Sequence, residues 1–550
     1  SSITARTEGP GDAGEIEIET GYLEIVEGGQ VSTATDSPSS TGDGGNLSII
    51  ASGSLVIRGS STVGVNREGD HLSRLTTRTE GPGDAGNLSI NTRNLLIEEG
   101  AQVSSGNNSL SATGNAGDTG IVATESVYVG GASFNNLDVS RLTSRTEGQG
   151  SAGTLEIDTS ALFIELGGQV SAGTFGNGAG GTINIDATDL VQLSGFTIQP
   201  LGTDVVSRIG ARTQGSGTAG EVILNTRDLI VQNGAQITSG TFTAGEGGNL
   251  TVNASGFIEL SGTSPSGFPG GLLVRTFGEG TTGRLHVTTG ALTLQDGAQI
   301  AANGTNLGDA GDIVVNIQDA LEANNSSIVT SAETSSGGTI LINAGSIRLN
   351  GSSDIRTNVN SGANSGGNIT LRASSILAFD DSDILAFAQD GQGGNINLDT
   401  PAFFGENYRP SPEGIDSFSL DGNNRVDINA SGAISGVVTI PDVSFIENSL
   451  NELPEAVIIT EQLIAGSCIA RTDDGGSFII SGSGGLPERP STTIMAPYST
   501  GEIRPLGDEN SAGETEDSDT WQPGDPMVEP QGLFELPDGR LIATRECVFE

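Results

Sequence analysis

The chain has 550 residues, 84 of them Gly, with 68 acidic residues against 23 basic ones and a net charge of −45. Every basic residue is Arg. Such a charge repels phosphate, which sets aside nucleic acid and anionic membrane surfaces as partners, and no run of about 20 apolar residues offers a transmembrane segment. Two Cys and two His provide neither a disulfide framework nor a four-Cys zinc site.

The first 400 residues repeat. A small dipeptide opens each unit, from Ala13-Gly14, Gly44-Gly45, Ala85-Gly86 and Ala116-Gly117 through to Gly393-Gly394, giving thirteen units. The last steps, Gly311 to Gly338 to Gly367 to Gly394, are 27, 29 and 27 residues. Earlier steps alternate short and long and pair into a super-repeat of 72, 67, 67 and 63 residues. Each unit contains three short alternating segments, as in Asn87-Leu88-Ser89-Ile90-Asn91, Asn94-Leu95-Leu96-Ile97 and Ala101-Gln102-Val103-Ser104. Apolar–polar alternation is the strand period, and Gly, Asn, Asp and Ser between the segments supply turns. The pattern predicts an all-β fold, a right-handed parallel β-helix with about three strands per coil over residues 1–400. One inward aliphatic row per strand fills a narrow core, which suits an apolar content of 34 %. Thirteen coils at one strand spacing each predict a rod on the order of 60 Å.

Three features recur in register. Asn91, Asn225, Asn253, Asn316 and Asn343, or Asp158, Asp186 and Asp399, follow each opening Gly by five residues and predict a stacked ladder. Gln30, Gln102, Gln169, Gln236 and Gln299 recur in every other coil and read as turn or stacking residues. Arg6, Arg78, Arg145, Arg212 and Arg275 stand in a fixed text, Arg-Thr followed by Glu, Gln or Phe and then Gly, which reads as a loop of the long units. These Arg lie two coils apart, roughly 10 Å. The simpler role is an Arg–Glu row bracing the loops; the alternative is a surface that grips carboxylates or sulfates of a polysaccharide.

Past residue 400 the pattern breaks: residues 401–550 hold 13 of the 19 Pro, 26 acids and 7 Arg. Residues 401–465 read as a capping region with the last coils. Within it, Arg425 to Gly432 and Val437 to Ile440 are strand-like, and Phe445 to Leu463 is expected to hold a short helix. Such a cap would close the open edge of the solenoid. Residues 508–520, with 6 acids and no base, read as a disordered linker. In residues 521–550, Leu533-Phe534-Glu535-Leu536 and Arg540-Leu541-Ile542-Ala543 flank Asp538-Gly539 as a hairpin. Cys468 and Cys547 are candidates for a disulfide, which would stabilise by about 4–5 kcal/mol in the chain-entropy model.

The C-terminal text resembles cyanobacterial filamentous-haemagglutinin-like exoproteins of the two-partner secretion type. The resemblance rests on Pro401 to Pro410, Asp421 to Pro441, Phe445 to Pro454, Ser467 to Arg471, Ser477 to Pro490 and Trp521 to Gly532. It makes residues 466–507 a C-terminal family region, and the solenoid repeats are similar to the same family. The resemblance implies an extracellular or outer-surface protein, exported by an outer-membrane barrel transporter, with roles in adhesion, aggregation and surface assembly. Surface polysaccharides or other cells would be its partners. The family's N-terminal export domain is not in this sequence, in which Ser1 already lies within a repeat, so a fragment or a truncated remnant of a longer exoprotein is expected.

β-Helices also host polysaccharide lyases and glycosidases. A lyase needs a base; the chain has no Lys, and Arg, with a pKa above about 12, serves poorly. A glycosidase needs two facing carboxylates. Asp380, Asp381 and Asp383 are the best candidates, yet they repeat the turn text Ser353-Asp354-Ile355. His71, in an inter-repeat loop, and His286, on a strand, are not read as members of a Ser–His or Cys–His pair. The chain is therefore read as non-enzymatic, with no catalytic, cofactor-binding or metal residues. Turns such as Gly308-Asp309-Ala310-Gly311-Asp312 offer oxygen ligands but lack the Gly-Gly-x-Gly-x-Asp calcium repeat, so no specific calcium site is expected.

Overall fold

The computed structural model describes residues 1–61, 71–107, 109–410 and 419–441, and the backbone of strands Ile503–Pro505, Gly532–Glu535 and Leu541–Thr544. Two compact units divide the chain, Ser1–Ser444 and Phe445–Glu550.

The first unit is a parallel β-helix. Its coils combine a long bent strand, such as Leu88–Glu98 or Thr119–Gly130, with a six-residue strand such as Gln102–Asn107 or Arg141–Thr146. The bend is a register shift, between Ala123 and Ser126 in one coil. The three segments legible in each repeat are thus present, two of them fused into one strand. At both ends of the solenoid they separate, as in Ile16–Thr20 with Leu23–Val26 and Ile313–Ile317 with Ala320–Asn324. Short strands stack on short strands in a 15-stranded sheet, and long strands on long strands in a second sheet. A final rung follows the thirteen repeats: Ile428–Asn429 and Gly432–Ile434 pair with Ile384–Gln392, and Val438–Thr439 pairs with Ile396–Asp399. Among the described residues every regular element is a strand, and none is a helix long and apolar enough to cross a membrane.

Alternation directs one side chain in two inward. Leu88, Ile90, Leu95 and Ile97 are buried, and their register partners Leu47, Ile49, Leu55 and Ile57 stack on them, so the core is a set of aliphatic columns. At the turn that opens each unit the core narrows until only backbone fits. A Cβ added to Gly45, Gly86, Gly117, Gly153 or any later opening glycine through Gly436 would lie under 3.0 Å from the carbonyl oxygen of the glycine one coil before. No side chain fits there, because a real Cβ does not approach a carbonyl so closely. Inward hydroxyls from the short strands meet these buried carbonyls: Thr77 Oγ1 donates to Gly86 O at 2.5 Å, Ser144 Oγ to Gly117 O at 3.0 Å, Ser239 Oγ to Gly220 O at 2.7 Å and Thr357 Oγ1 to Gly367 O at 2.8 Å. Buried carbonyls left unmatched would be destabilising, so these hydroxyls belong to the fold.

Polar side chains tie coil to coil on the outside. Asp84 N donates to Asp43, Asn115 N to Asp84, and Thr154 N to Asp118. Ser336 N and Thr339 N donate to Asp309 and Asp312, each at 3.0 Å. The turn considered for calcium thus has both carboxylates on the next coil's amides. The Asn ladder runs in two pieces, Asp186–Asn225–Asn253 and Asn316–Asn343. Thr288 interrupts it, and His286 Nε2 lies 3.2 Å from Asn316 Nδ2.

In the second unit, Gly532–Glu535 pairs antiparallel with Leu541–Thr544 and parallel with Ile503–Pro505. The expected helix in Phe445 to Leu463, the acidic segment 508–520, Cys468 and Cys547 lie outside the described residues.

Gly248→Ala places a Cβ against Gly220 O and is expected to lower stability by about 2 kcal/mol or more. Gly120→Ala, with nothing within 4 Å of its Cβ, is expected to stay within about 0.5 kcal/mol of the parent. Urea unfolding followed by circular dichroism checks both; equal midpoints for the two variants would contradict the close approach.

Candidate functional site

Arg6, Arg78, Arg145, Arg212 and Arg275 do not lie in a loop. Each is the fifth residue of a short strand: Ser2–Thr7, Arg74–Thr79, Arg141–Thr146, Arg208–Thr213 and Gly271–Thr276. The text reads as a loop because its inward positions are mostly Thr, Ser and Ala, with Val274 the exception, and the hydroxyls of Thr77 and Ser144 serve the glycine carbonyls. The extra length of the long units lies ahead of these strands, at residues 131–140, 195–207 and 262–270.

The outward face of the short sheet resolves into columns. One column runs Gln30, Arg74, Gln102, Arg141, Gln169, Arg208, Gln236. The Gln residues therefore open strands and do not form turns. Two residues further along lie Ser104, Thr143 and Ser171, and two further still the column Arg78, Gly106, Arg145, Gly173, Arg212, Gly240, Arg275. The intervening glycines are required, since a Cβ on Gly106, Gly173 or Gly240 would strike the carbonyl of the Arg beside it. Sequence reading missed Arg74, Arg141 and Arg208. The signal was present as an Arg four residues before Arg78, Arg145 and Arg212, a spacing that puts both on one face of a strand.

The bracing role holds at the start of the rod. Arg6 and Arg78 share Asp36 at 2.9 and 2.5 Å, Arg78 lies 3.8 Å from Glu80, and Arg145 pairs with Glu147 at 2.9 Å. It then lapses. Gln214 and Phe277 stand where Glu80 and Glu147 would be, and among the described residues Arg208, Arg212 and Arg275 have no ion pair. Aromatic rings replace the acids. Arg145 lies over Phe175 at 5.3 Å and Arg212 over Phe242 at 5.2 Å, and Phe242 stacks on Phe277 at 5.0 Å. Cation–π contacts hold a guanidinium without neutralising it.

Burial pushes Arg208 down to about 9, and the guanidiniums of Arg212 and Arg275 push it the same way. Burial also lowers Arg74, Arg141, Arg212 and Arg275, with Asp138 opposing the shift at the first two. The Nε atoms of Arg74, Arg141 and Arg208 are buried without a hydrogen-bond partner. Between neighbouring rungs lies a shallow groove of about 80 Å³, lined by Arg145, Gln169, Gly173, Phe175, Arg208 and Arg212. The segments ahead of the Arg strands join one another: Gln199 Nε2 donates to Leu137 O at 3.0 Å, and Ser266 N donates to Asp204 at 3.1 Å. Burial would raise the Asp204 carboxyl, but hydrogen bonds from Ser264 and Ser266 hold it down at about 2.

The carboxylate cluster sits further along the same column. Register pairing of Ile355, Ile384 and Ile428 places Asp354, Asp383 and Asp427 on successive rungs. Asp383 is fully buried. Its N donates to Asp354 at 3.2 Å, its Oδ1 accepts from Asp427 N at 2.8 Å, and its Oδ2 has no partner. Asp381 accepts from Gly422 N at 2.6 Å and Arg425 N at 3.1 Å, while Asp380 is exposed. The cluster thus ties down the last rung, and Asp383 faces away from solvent. Among the described residues no group of three or more His, Cys, Asp or Glu could hold a metal ion. Comparison with known protein families, with curated proteins and with solved structures returned no match.

Burial pushes Asp383 up to about 8, and Asp354, Asp427 and Asp381 add to the rise; burial likewise raises Asp354 to about 6. An unfolded carboxyl titrates near 3.9, so the native state holds protons here that the unfolded state releases. The stabilisation is complete below about pH 4 and is lost as pH rises through about 6 and then about 8. Amide exchange in Asp354–Val359 and Ile384–Gln392 is expected to show greater protection against opening at pH 5 than at pH 9, after correction for intrinsic rates. Asp383→Asn flattens that difference; an unchanged difference in the variant would contradict the assignment.

Proposed function

We propose that this chain is a secreted or cell-surface structural and adhesive exoprotein, a β-helical rod that displays repeated side chains for many weak simultaneous contacts. The observation that carries this reading is the register-matched repetition of Arg78, Arg145, Arg212 and Arg275 along one face of a continuous sheet. Contacts on a rigid rod share one orientational cost, so overall avidity exceeds that of any one contact. The C-terminal likeness to filamentous-haemagglutinin-like exoproteins supports the same reading and adds export through an outer-membrane barrel transporter. Polysaccharide cleavage is the competing activity. It gains no support from Asp381 and Asp383, whose carboxylates are engaged with backbone amides of the last coil.

Beads coated with the chain at rising density are expected to adhere to polysaccharide-bearing cells, with adhesion climbing more steeply than density. Release of reducing ends or unsaturated sugars from acidic polysaccharides, abolished by Asp381→Ala, would replace the adhesive reading with an enzymatic one.

A further inference from the structure

We propose that the outward face of the short sheet, from the Arg74–Thr79 strand to the Gly271–Thr276 strand, binds a linear polyuronate laid along the solenoid axis. The inference deepens the adhesive reading and rests on it, since the ligand is taken to be a surface polymer.

Seven guanidiniums gather on this face of a chain with net charge −45: Arg74 and Arg78, Arg141 and Arg145, Arg208 and Arg212, and Arg275. A fold that needed only bracing would pair them with its abundant acids, as it does at Arg6 and Arg78. Arg208, Arg212 and Arg275 are instead held by burial, and Arg212 also by Phe242, with no ion pair among the described residues. Their like charges press on one another, and an incoming anion relieves that pressure.

The unmet donors name the anion. Nε is orphaned at Arg74, Arg141 and Arg208, the same atom at the same place in three successive super-repeats. Nε with its neighbouring Nη forms the side edge of the guanidinium fork, which meets the two oxygens of a planar carboxylate in parallel hydrogen bonds. The period names the polymer. Arg pairs recur every second rung, about 10 Å, roughly the length of a disaccharide in an extended chain. The rungs between carry Gln102, Gln169 and Gln236, with Ser104, Ser171 and Thr238 beside them. These neutral donors and acceptors suit sugar hydroxyls, and Thr238 Oγ1 is itself without a partner. Gly106, Gly173 and Gly240 leave the space between Arg residues open. A single-stranded nucleic acid needs open ring faces for its bases, whereas Phe242 is already engaged by Arg212 and by Phe277.

The test titrates the full chain with size-defined oligogalacturonates by calorimetry at physiological salt. Dextran sulfate, neutral dextran and single-stranded DNA form the comparison arms. Oligogalacturonate is expected to bind, to tighten with length in disaccharide steps, and to raise the unfolding midpoint. Arg208→Gln with Arg212→Gln is expected to weaken binding by roughly tenfold or more. Arg93→Gln, on the long sheet, leaves it unchanged. The double variant keeps its β circular dichroism, so lost binding is not lost fold. Undiminished binding by the double variant, or tighter binding of dextran sulfate or DNA than of oligogalacturonate, would overturn the proposal. Cell adhesion that persists without oligogalacturonate binding would remove this ligand and leave the adhesive reading standing; oligogalacturonate binding without cell adhesion would support the site and count against that reading.

Discussion

The opening glycine of each coil is the constraint on which the solenoid depends. From Gly45 to Gly436 each stands over the carbonyl of its predecessor, at a distance that admits no Cβ. That approach sets the turn at one corner of the coil and aligns every strand that leaves it. The buried carbonyls would be a liability without Thr77, Ser144, Ser239 and Thr357, whose hydroxyls reach them from the short sheet. The high glycine content is therefore a stacking requirement, met coil by coil.

The same requirement shapes the outer face. Stacking at one strand spacing would put Arg on Arg about 5 Å apart if every coil carried one. The two-coil super-repeat doubles that distance to about 10 Å, which weakens the repulsion without removing it. Gly106, Gly173 and Gly240, or Gln102, Gln169 and Gln236, fill the rungs between. A cationic stripe can then exist on an acidic protein without unfolding it. Where the column reaches Asp354, Asp383 and Asp427 the carboxyls lie on consecutive rungs, and there burial, with the neighbouring carboxylates adding to it, raises Asp354 and Asp383.

The architecture was legible because its signal is periodic: Leu88, Ile90, Leu95 and Ile97 alternate as a strand does and recur on schedule. The Arg face was legible only in part. Arg78, Arg145 and Arg212 announced themselves by repetition, but their strands looked like loops, because inward Thr and Ser serve carbonyls and break the apolar alternation. Arg74, Arg141 and Arg208 escaped notice because their place on the face depends on where each strand begins, and insertions of unequal length precede them. Asp383 read as a turn residue; its burial follows from its column, which only register reveals.

Above all, the proposed polyuronate site makes the stacked Arg pairs a ruler for carboxylates. A crystal structure of the chain with a bound oligogalacturonate tests this most directly. The predicted result is an extended oligomer along the solenoid axis, with carboxylates on Arg141, Arg208 and their partners at two-rung intervals. An oligomer bound elsewhere on the solenoid, or lying across the strands with its carboxylates away from these Arg, would contradict it.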